Sequence, residues 1–503
     1  VPRLAWCIEG LDFFAFFIYK KINCVSHIFL KKRRDFVAEI VILGAGLTGL
    51  SAAYHLEKQK FYDYKIFEKN STSGGLLRSF KQDGFTFDFT GHFLHVSDNY
   101  FFDFLQKIAD LKNFNLTSRN SAINFNNQLT DYPFQINLAG LPENVVFDSI
   151  YGFINRKKNI KSPKSFYEWV LKHFGPGMGK HFFFPYNSKI LAYDLKKVRA
   201  DQTGRFVPKT NLKLILKNAL SKKAEENIGY NSKFYYPKLG GIQFLVDKLE
   251  TQLKNKVELE HNAVNIDLAT KTIYFENGHQ EKFKTLITTL PLNTFLKNTT
   301  EKSNSTLKTA ANKLVCNSVI NFNLGFDTPK LKTKHWIYYP EKKYPFYRIG
   351  FWHNINSQSA PKNCSGIYGE ASYQPETKTS KQVLNLTKKS INSALKTLDL
   401  SKANIISQKI LPIEHAYVIY DLWREQNLNL LHRQLNNLSV YSIGRYGEWK
   451  YSSMQEAVLD GKETVEQILH KLKNKKLSQN KKIIPAFKFQ EIKKKVKISS
   501  QTV

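Results

Sequence analysis

The chain is poor in several features at once. Only four cysteines occur among its 503 residues, at Cys7, Cys24, Cys316 and Cys364, scattered and with no CxxC pair. That excludes a disulfide scaffold and fits a reducing compartment, the cytoplasm. No apolar run reaches the roughly 18 residues needed to cross a bilayer, which excludes a polytopic membrane protein. Acidic residues are scarce: 42 Asp and Glu stand against 75 Lys and Arg, a formal net charge of +33. The thirteen histidines form no HxxxH or HxH pair with acids nearby, so no metal site is expected. A GxSxG elbow and a P-loop are also missing.

Apolar material is plentiful. The sequence is 42% hydrophobic, with 38 Phe, 25 Tyr and 6 Trp, which excludes whole-chain disorder. At about 150 residues per domain the length suggests two to four domains. So high a charge invites a nucleic-acid reading, but a Lys-rich, acid-poor composition explains it more simply, and no nucleic-acid partner is expected. Part of the charge sits at the end, where Lys471 to Lys497 carry eleven lysines and one acid, Glu491. Residues 473–503 read as a solvated basic tail, suited to weak contact with an anionic membrane surface. Residues 1–35 hold a short apolar stretch, Phe13 to Tyr19, too brief for a signal sequence. They are expected to lie outside the fold, as an interfacial anchor or as sequence not native to the protein.

Organised sequence begins at Ala38. Ala38 to Leu43 is an apolar, β-branched run of the kind that forms a buried parallel strand. Gly44-Ala-Gly46-Leu-Thr-Gly49 follows, then a helical pattern to Lys58, a second strand from Tyr64 to Phe67, and Glu68. This is a complete dinucleotide-binding unit. Gly44 makes the turn, Gly46 lets backbone approach a pyrophosphate, Gly49 permits close helix–strand packing, and Glu68 accepts ribose hydroxyls. A second glycine pair, Gly74-Gly75, with Arg78 three positions on, again suits close approach to cofactor phosphates. The alternating segment Phe85 to Phe89 ends in Thr90-Gly91-His92, a glycine and an aromatic acid/base fit for a flavin face.

The same domain resumes downstream. Gly240-Gly241 opens a helix, Val257–Leu259 and Ala263–Ile266 are strand-like, and Leu286–Leu290 is a strand stopped by Pro291. Val440 to Ile443, Gly444-Arg445 and a helix from Met454 to about Leu472 follow, whose N-terminus suits a flavin carbonyl. A discontinuous cofactor domain is therefore expected over 36–115, 235–300 and 435–472. Between its parts lie a mainly helical segment, 116–234, with Ser165 to Glu168 as a capping box, and a mixed β-rich segment, 301–434. The fold class is α/β: a Rossmann-like FAD-binding domain with an inserted helical bundle and an antiparallel substrate-side sheet.

Four stretches carry a resemblance: Asp131-Tyr-Pro-Phe-Gln135, Pro185-Tyr-Asn187, Tyr338-Tyr-Pro340 with Pro345-Phe-Tyr-Arg348, and Gly444-Arg-Tyr-Gly-Glu-Trp-Lys-Tyr451. Over about Glu39 to Leu469 the chain resembles the UDP-galactopyranose mutase family, within the amine oxidase and protoporphyrinogen oxidase superfamily. The resemblance implies non-covalent FAD, kept reduced by an external reductant. In that family the flavin N5 displaces UDP from the sugar, which opens and recloses as the furanose without net oxidation. It implies His92 beside the flavin, Arg205 and Arg348 on the substrate diphosphate, and Tyr338, Tyr417 and Tyr451 as its hydroxyl donors. Phe182, Asn187 and Asn231 are implied on the substrate. Gly91, Val264, Gly444, Arg445, Met454 and Gln455 are implied on the cofactor.

Departures accompany the match. Where the family frames uracil with a tyrosine and a tryptophan, Ala122 and Leu191 align, and an Asn-Gln-Asp run is replaced by Met454-Gln-Glu456. The expectation is a retained diphosphate clamp with a rewritten base pocket, and UDP-galactopyranose as a poor substrate. The rival enzyme reading is an oxidoreductase that passes a hydride from substrate to flavin and on to oxygen or a quinone. The non-enzyme rival, a basic nucleic-acid or membrane-surface binder, leaves the cofactor fingerprint unexplained.

Overall fold

The computed structural model describes residues 37–202, 207–221, 232–300, 305–329 and 331–482. Arg205, Asn231, residues 1–35 and most of the basic tail lie outside the described residues. Two large sheets carry the fold. In the first, strand Ala38–Leu43 pairs in parallel with Tyr64–Phe67 on one side and Gln280–Thr288 on the other. Val257–Glu258 and Val440–Ser442 extend it in parallel at its two ends. Three separate stretches of sequence thus build one doubly wound sheet, as the discontinuous cofactor domain requires. Strand Gln280–Thr288 is long enough to serve twice. Its first residues pair antiparallel with Thr272–Phe275, and its last lie in the parallel sheet.

Helix Leu47–Lys58 packs on this sheet through small residues. The C-terminal helix crosses it closely: a side chain at Gly461 would meet Ser51 and Ala52, and the Ser51 hydroxyl donates to the Val458 carbonyl at 2.7 Å. That helix spans Met454–Lys482 and so runs ten residues past its expected end, into the segment read as tail. Among the described residues no helix is long and apolar enough to cross a membrane.

The second sheet has seven strands in the order Ile405–Ile413, Ser318–Phe326, Ser365–Tyr373, Arg348–Phe351, Trp336–Tyr338, Ser121–Phe125, Gln128–Asp131. All neighbours are antiparallel except Trp336–Tyr338 and Ser121–Phe125, which run parallel. Its last two strands come from the segment expected to be helical. Helices Ser305–Lys313 and Leu422–Asn437 depart from expectation the other way. Leu307, Ala311, Leu428, Leu431 and Leu435 bury against Val41, Leu43 and Leu286, so these helices cover the cofactor sheet and not the substrate sheet. Both outcomes have one cause: an apolar helix face carries no label for which sheet it will cover.

The inserted helices run from Glu143–Ile154 to Leu212–Ser221. Ser165 caps helix Phe166–His173 by accepting from the Glu168 N–H, while the Glu168 carboxylate accepts from Lys164 N–H, one residue before a standard capping box.

Candidate functional site

The cofactor cradle follows from local geometry. Gly44 sits at φ +95°, and a side chain there would strike the Thr289 hydroxyl. A side chain at Gly49 would strike the Gly44 carbonyl, so this glycine sets the helix-to-strand distance. Gly46 is different: a Cβ there meets nothing within 4 Å. The glycine that begins helix Leu47–Lys58 therefore borders open space at the positive end of the helix dipole. Gly74 and Gly75, both at positive φ, close the other side. The Gly74 N–H donates to the Ala45 carbonyl at 2.8 Å, and a side chain at Gly75 would come within 3.4 Å of the Gly46 Cα.

Glu68 is buried at the end of its strand, where one carboxylate oxygen accepts from Ala45 N–H at 2.9 Å and the other from Asn70 N–H at 3.0 Å. Arg78 donates to the Gly75 carbonyl at 3.0 Å. Burial draws its pKa below the usual value, against the pull of Glu68. Val264 falls at a bulge between Ala263 and Asn265, which leaves its backbone outside the ladder, and its side chain is exposed. Gly444, at φ +78°, abuts Thr48 at the start of the first helix. The Gln455 side chain accepts from Ser97 and Asp98 N–H groups, while Met454 and Gln455 present the first N–H groups of the C-terminal helix. Ser453 and Glu456 form a true capping box there. The space above Gly46, the two glycine loops and the buried Glu68 fit a dinucleotide.

A tyrosine-rich cluster forms where the two sheets meet, and its partly exposed members His92, Arg348, Tyr417, Arg445 and Tyr451 give it an open side, the recess. Strand register builds it: Arg348 pairs across with Tyr338 on one side and Glu370 on the other. The Arg348 Nε lies 2.5 Å from one Glu370 oxygen and its Nη2 2.8 Å from the second. Glu370 is 1% exposed and Arg348 17%. Burial pulls the Arg348 pKa down, but the Glu370 carboxylate outweighs it and holds the guanidinium above its ordinary value. Arg445 donates to the carbonyls of Ser452 at 2.8 Å and Ala416 at 3.2 Å, and its guanidinium lies 4.6 Å from the Tyr451 ring centre. The Tyr451 ring stacks on Tyr417, centroids 6.0 Å apart. Burial first, then the charges of Arg445 and Arg348, push the His92 pKa down to about 3, so its imidazole is neutral. Gly91 beside it cannot carry a side chain, because the Tyr368 hydroxyl and the Phe93 ring are in the way.

His92, Arg348, Arg445, Tyr338, Tyr417 and Tyr451 thus converge, although they were singled out on distant segments. Further residues complete the recess. Tyr132 packs on Tyr338 at 5.1 Å, Tyr186 stands edge-on to both Tyr338 and Tyr347, and Tyr368 presents a buried hydroxyl with no hydrogen-bond partner. Burial raises the pKa of Tyr132, Tyr186, Tyr347, Tyr368 and Tyr417, so these phenols stay neutral. Tyr132, Tyr186 and Tyr347 sit inside the motifs that carry the resemblance but were given no role. Glu370 had a signal of its own, a charge in the middle of an otherwise apolar and small-residue strand.

Other expected substrate residues are engaged in packing or hydrogen bonds of their own. Phe182 is sandwiched between Phe134 at 4.9 Å and Tyr186 at 5.2 Å, so neither face can stack on a base. Phe183 and Phe184 are likewise stacked, on Phe174 and Tyr167. The Asn187 amide donates to the Phe183 carbonyl of its own helix at 2.8 Å. Ala122 packs with Ile337 in the core on one face of the sheet, while Tyr338 and Ile123 face the other. A ring at 122 would point away from the recess, so its absence does not rewrite a pocket there. Leu191 is buried in the core. Arg348 is also not the free fork expected of it: two of its five N–H donors are spent on Glu370. A separate surface cleft lined by Lys164, Lys196, Arg199, Asp421 and Trp423 shares no residue with the recess.

A doubly wound dinucleotide sheet joined to a second sheet, with polar groups converging between them, defines a flavoprotein of two-sheet architecture. The chain matches the model of the flavin containing amine oxidoreductase family over residues 47–469 and belongs to that family. FAD is its cofactor, and the protein is an FAD-dependent enzyme. In overall structure it is similar to reduced UDP-galactopyranose mutase, with a TM-score of 0.81 and 28% identity over 86% of this chain and 96% of that one. Within the family it is thus a mutase-like member. Putrescine oxidase bound to putrescine shares the fold at a TM-score of 0.58 and 14% identity, covering 86% of this chain and 99% of that one. A 4,4'-diapophytoene desaturase (4,4'-diaponeurosporene-forming) of Staphylococcus haemolyticus (strain JCSC1435) is 48% identical over 61 residues. That match spans 12% of either chain.

Proposed function

We propose that the enzyme performs mutase-like chemistry on a sugar linked to a diphosphate, using reduced FAD. The observation that carries this reading is the convergence of Arg348, Arg445, neutral His92 and a ring of neutral tyrosines on one recess. The likeness to the reduced mutase supports it. The reduced cofactor supplies nucleophilic chemistry when bound beside the Gly46 cradle and Gly444. The protein's own groups bind and orient. Arg348 keeps three N–H donors for phosphate oxygens after its pair with Glu370. Tyr338, Tyr417 and Tyr451 offer hydroxyl donors that bring no further positive charge. Because the diphosphate is also the leaving group, these donors stabilise charge that develops during departure. His92, uncharged at neutral pH, can accept a hydrogen bond from a sugar hydroxyl as well as donate one.

Glu370 offsets the charge of Arg348, so the described part of the recess is only weakly cationic. That favours a dianion that must be released after each turnover over one held irreversibly. Arg205 is assigned by the family resemblance as the second phosphate arginine. An oxidoreductase acting on an amine or an apolar substrate has less use for such a recess, and is the alternative outcome of the test. The experiment is a titration of dithionite-reduced enzyme with UDP, UDP-galactopyranose, other nucleotide sugars and uridine. Diphosphates should perturb the reduced-flavin spectrum and uridine should not. Equal responses to uridine and UDP would overturn the reading. Weak contact of the basic tail with anionic membranes belongs to the same proposal, tested by sedimentation with anionic vesicles.

A further inference from the structure

We infer that Glu258, His261 and His279 form a binding site for a zinc-like divalent transition metal at the outer edge of the cofactor sheet. The sequence hides this site, because His279 lies eighteen positions from His261 and no short spacing links them. Strand pairing brings them together. Glu258 ends the edge strand Val257–Glu258, His261 follows in the loop, and His279 closes the hairpin between Thr272–Phe275 and Gln280–Thr288. One ligand atom from each of the three lies within 4.8 Å of the others, and this is the one such group among the described residues. The Glu258 carboxylate and the His261 Nε2 are 3.9 Å apart.

The chemistry of the donors favours a metal over a chance cluster. The His261 Nδ1 lies 2.7 Å from the Leu259 carbonyl, which can accept only from N–H. The proton is therefore on Nδ1, and Nε2 carries its lone pair toward the cluster. Metal-binding histidines are oriented in this way by a carbonyl or carboxylate behind them. Phe67 and Phe275 pack against both imidazoles and fix their planes. One Glu281 carboxylate oxygen lies 2.6 Å from the Lys65 Nζ and 3.5 Å from the His279 Nε2, so it supports that imidazole without joining the ligand set. Two imidazoles and one carboxylate are a borderline donor set suited to zinc, with a fourth position for water. Tetrahedral zinc places its ligand atoms about 3.4 Å apart, so the 3.9 Å pair must close by about 0.5 Å and no pair of the cluster by more than about 1.4 Å.

The loop is tied to the cofactor cradle but shares no residue with the tyrosine recess. The His261 N–H donates to the Glu68 carbonyl at 2.8 Å, and the Glu68 N–H to the Glu258 carbonyl at 2.9 Å. A bound ion therefore staples the edge strand and hairpin to the strand that presents Glu68, away from the tyrosine recess. The test is calorimetric titration of chelator-treated, FAD-loaded enzyme with zinc chloride, with thermal unfolding in parallel. One zinc per chain should bind at micromolar affinity or tighter and raise the unfolding midpoint by several degrees. His261→Gln and His279→Gln should each weaken binding at least tenfold while FAD content and the metal-free midpoint stay near wild type. X-ray absorption of the zinc complex should report two imidazoles and oxygen. Absence of stoichiometric binding, or binding unchanged in the His261→Gln, His279→Gln double variant, would overturn the inference.

Discussion

Glu370→Gln probes the pair that shapes the recess. The carboxylate is 1% exposed and grips Arg348 through two hydrogen bonds at 2.5 and 2.8 Å. Glutamine keeps the volume and one acceptor but removes the charge, and its amide N–H would face a guanidinium N–H. Deleting one partner of a buried pair costs about 3–5 kcal/mol, because the other charge is left uncompensated. The retained amide oxygen recovers one charged hydrogen bond, so a loss of about 2–3 kcal/mol is expected. The variant should then gain more from ligand than the wild type does. In the wild type a diphosphate competes with Glu370 for Arg348; in the variant it becomes the main counter-ion. Urea unfolding of FAD-loaded protein with and without UDP measures both effects. The midpoint should fall without UDP and recover a larger part of the difference with it. An unchanged midpoint, or an equal UDP response in both proteins, would refute the reasoning.

Two glycine substitutions should separate cofactor binding from folding. Gly46→Val should fold, since its side chain enters open space, yet remain colourless; Gly49→Ala should express poorly, because its methyl group meets the Gly44 carbonyl. Arg348→Ala should keep FAD and lose about 2–4 kcal/mol of transition-state stabilisation in kcat/KM, roughly 30- to 1000-fold. With its folded pKa lowered to about 3, His92 supports stability fully above its unfolded pKa near 6.5 and loses that contribution as pH falls toward 3. Activity should accordingly show no acidic limb near pH 6.5 from this residue, and His92→Asn should flatten the stability loss between pH 6 and 4, measured by urea unfolding across pH.

What could be read in advance depended on how far apart the cooperating residues lie in the chain. The cradle was legible because Gly44, Gly46, Gly49 and Glu68 act through a single strand–helix–strand turn whose steric demands are local. Tyr338 and Arg348 were legible only through motif resemblance, whereas His92 also stood out after Gly91 at the end of its strand. No periodicity links them to Arg445, and it is the contact between the two sheets that brings them together. Glu370 escaped notice because its meaning comes from register: it faces Arg348 across two antiparallel strands. Ala122 was misread for a similar reason. Aligned positions ignore which way a strand residue points, and one step along the chain reverses the face. Phe182 looked available because aromatic residues suit both base stacking and core packing, and only its two stacked neighbours decide between them. The metal cluster is the plainest case, since its three ligands come from one edge strand, one loop and one hairpin.

The central claim, reduced-flavin chemistry on a diphosphate-linked sugar without net oxidation, is tested most directly by turnover under two redox conditions. A panel of nucleotide sugars, UDP-galactopyranose included, is offered to the dithionite-reduced enzyme under argon and to the oxidised enzyme in air with an oxygen electrode. The account predicts ring-isomerised product from at least one sugar with reduced enzyme only, and no substrate-dependent oxygen uptake. Oxygen consumed in step with substrate by the oxidised enzyme, and no isomer from the reduced one, would contradict it.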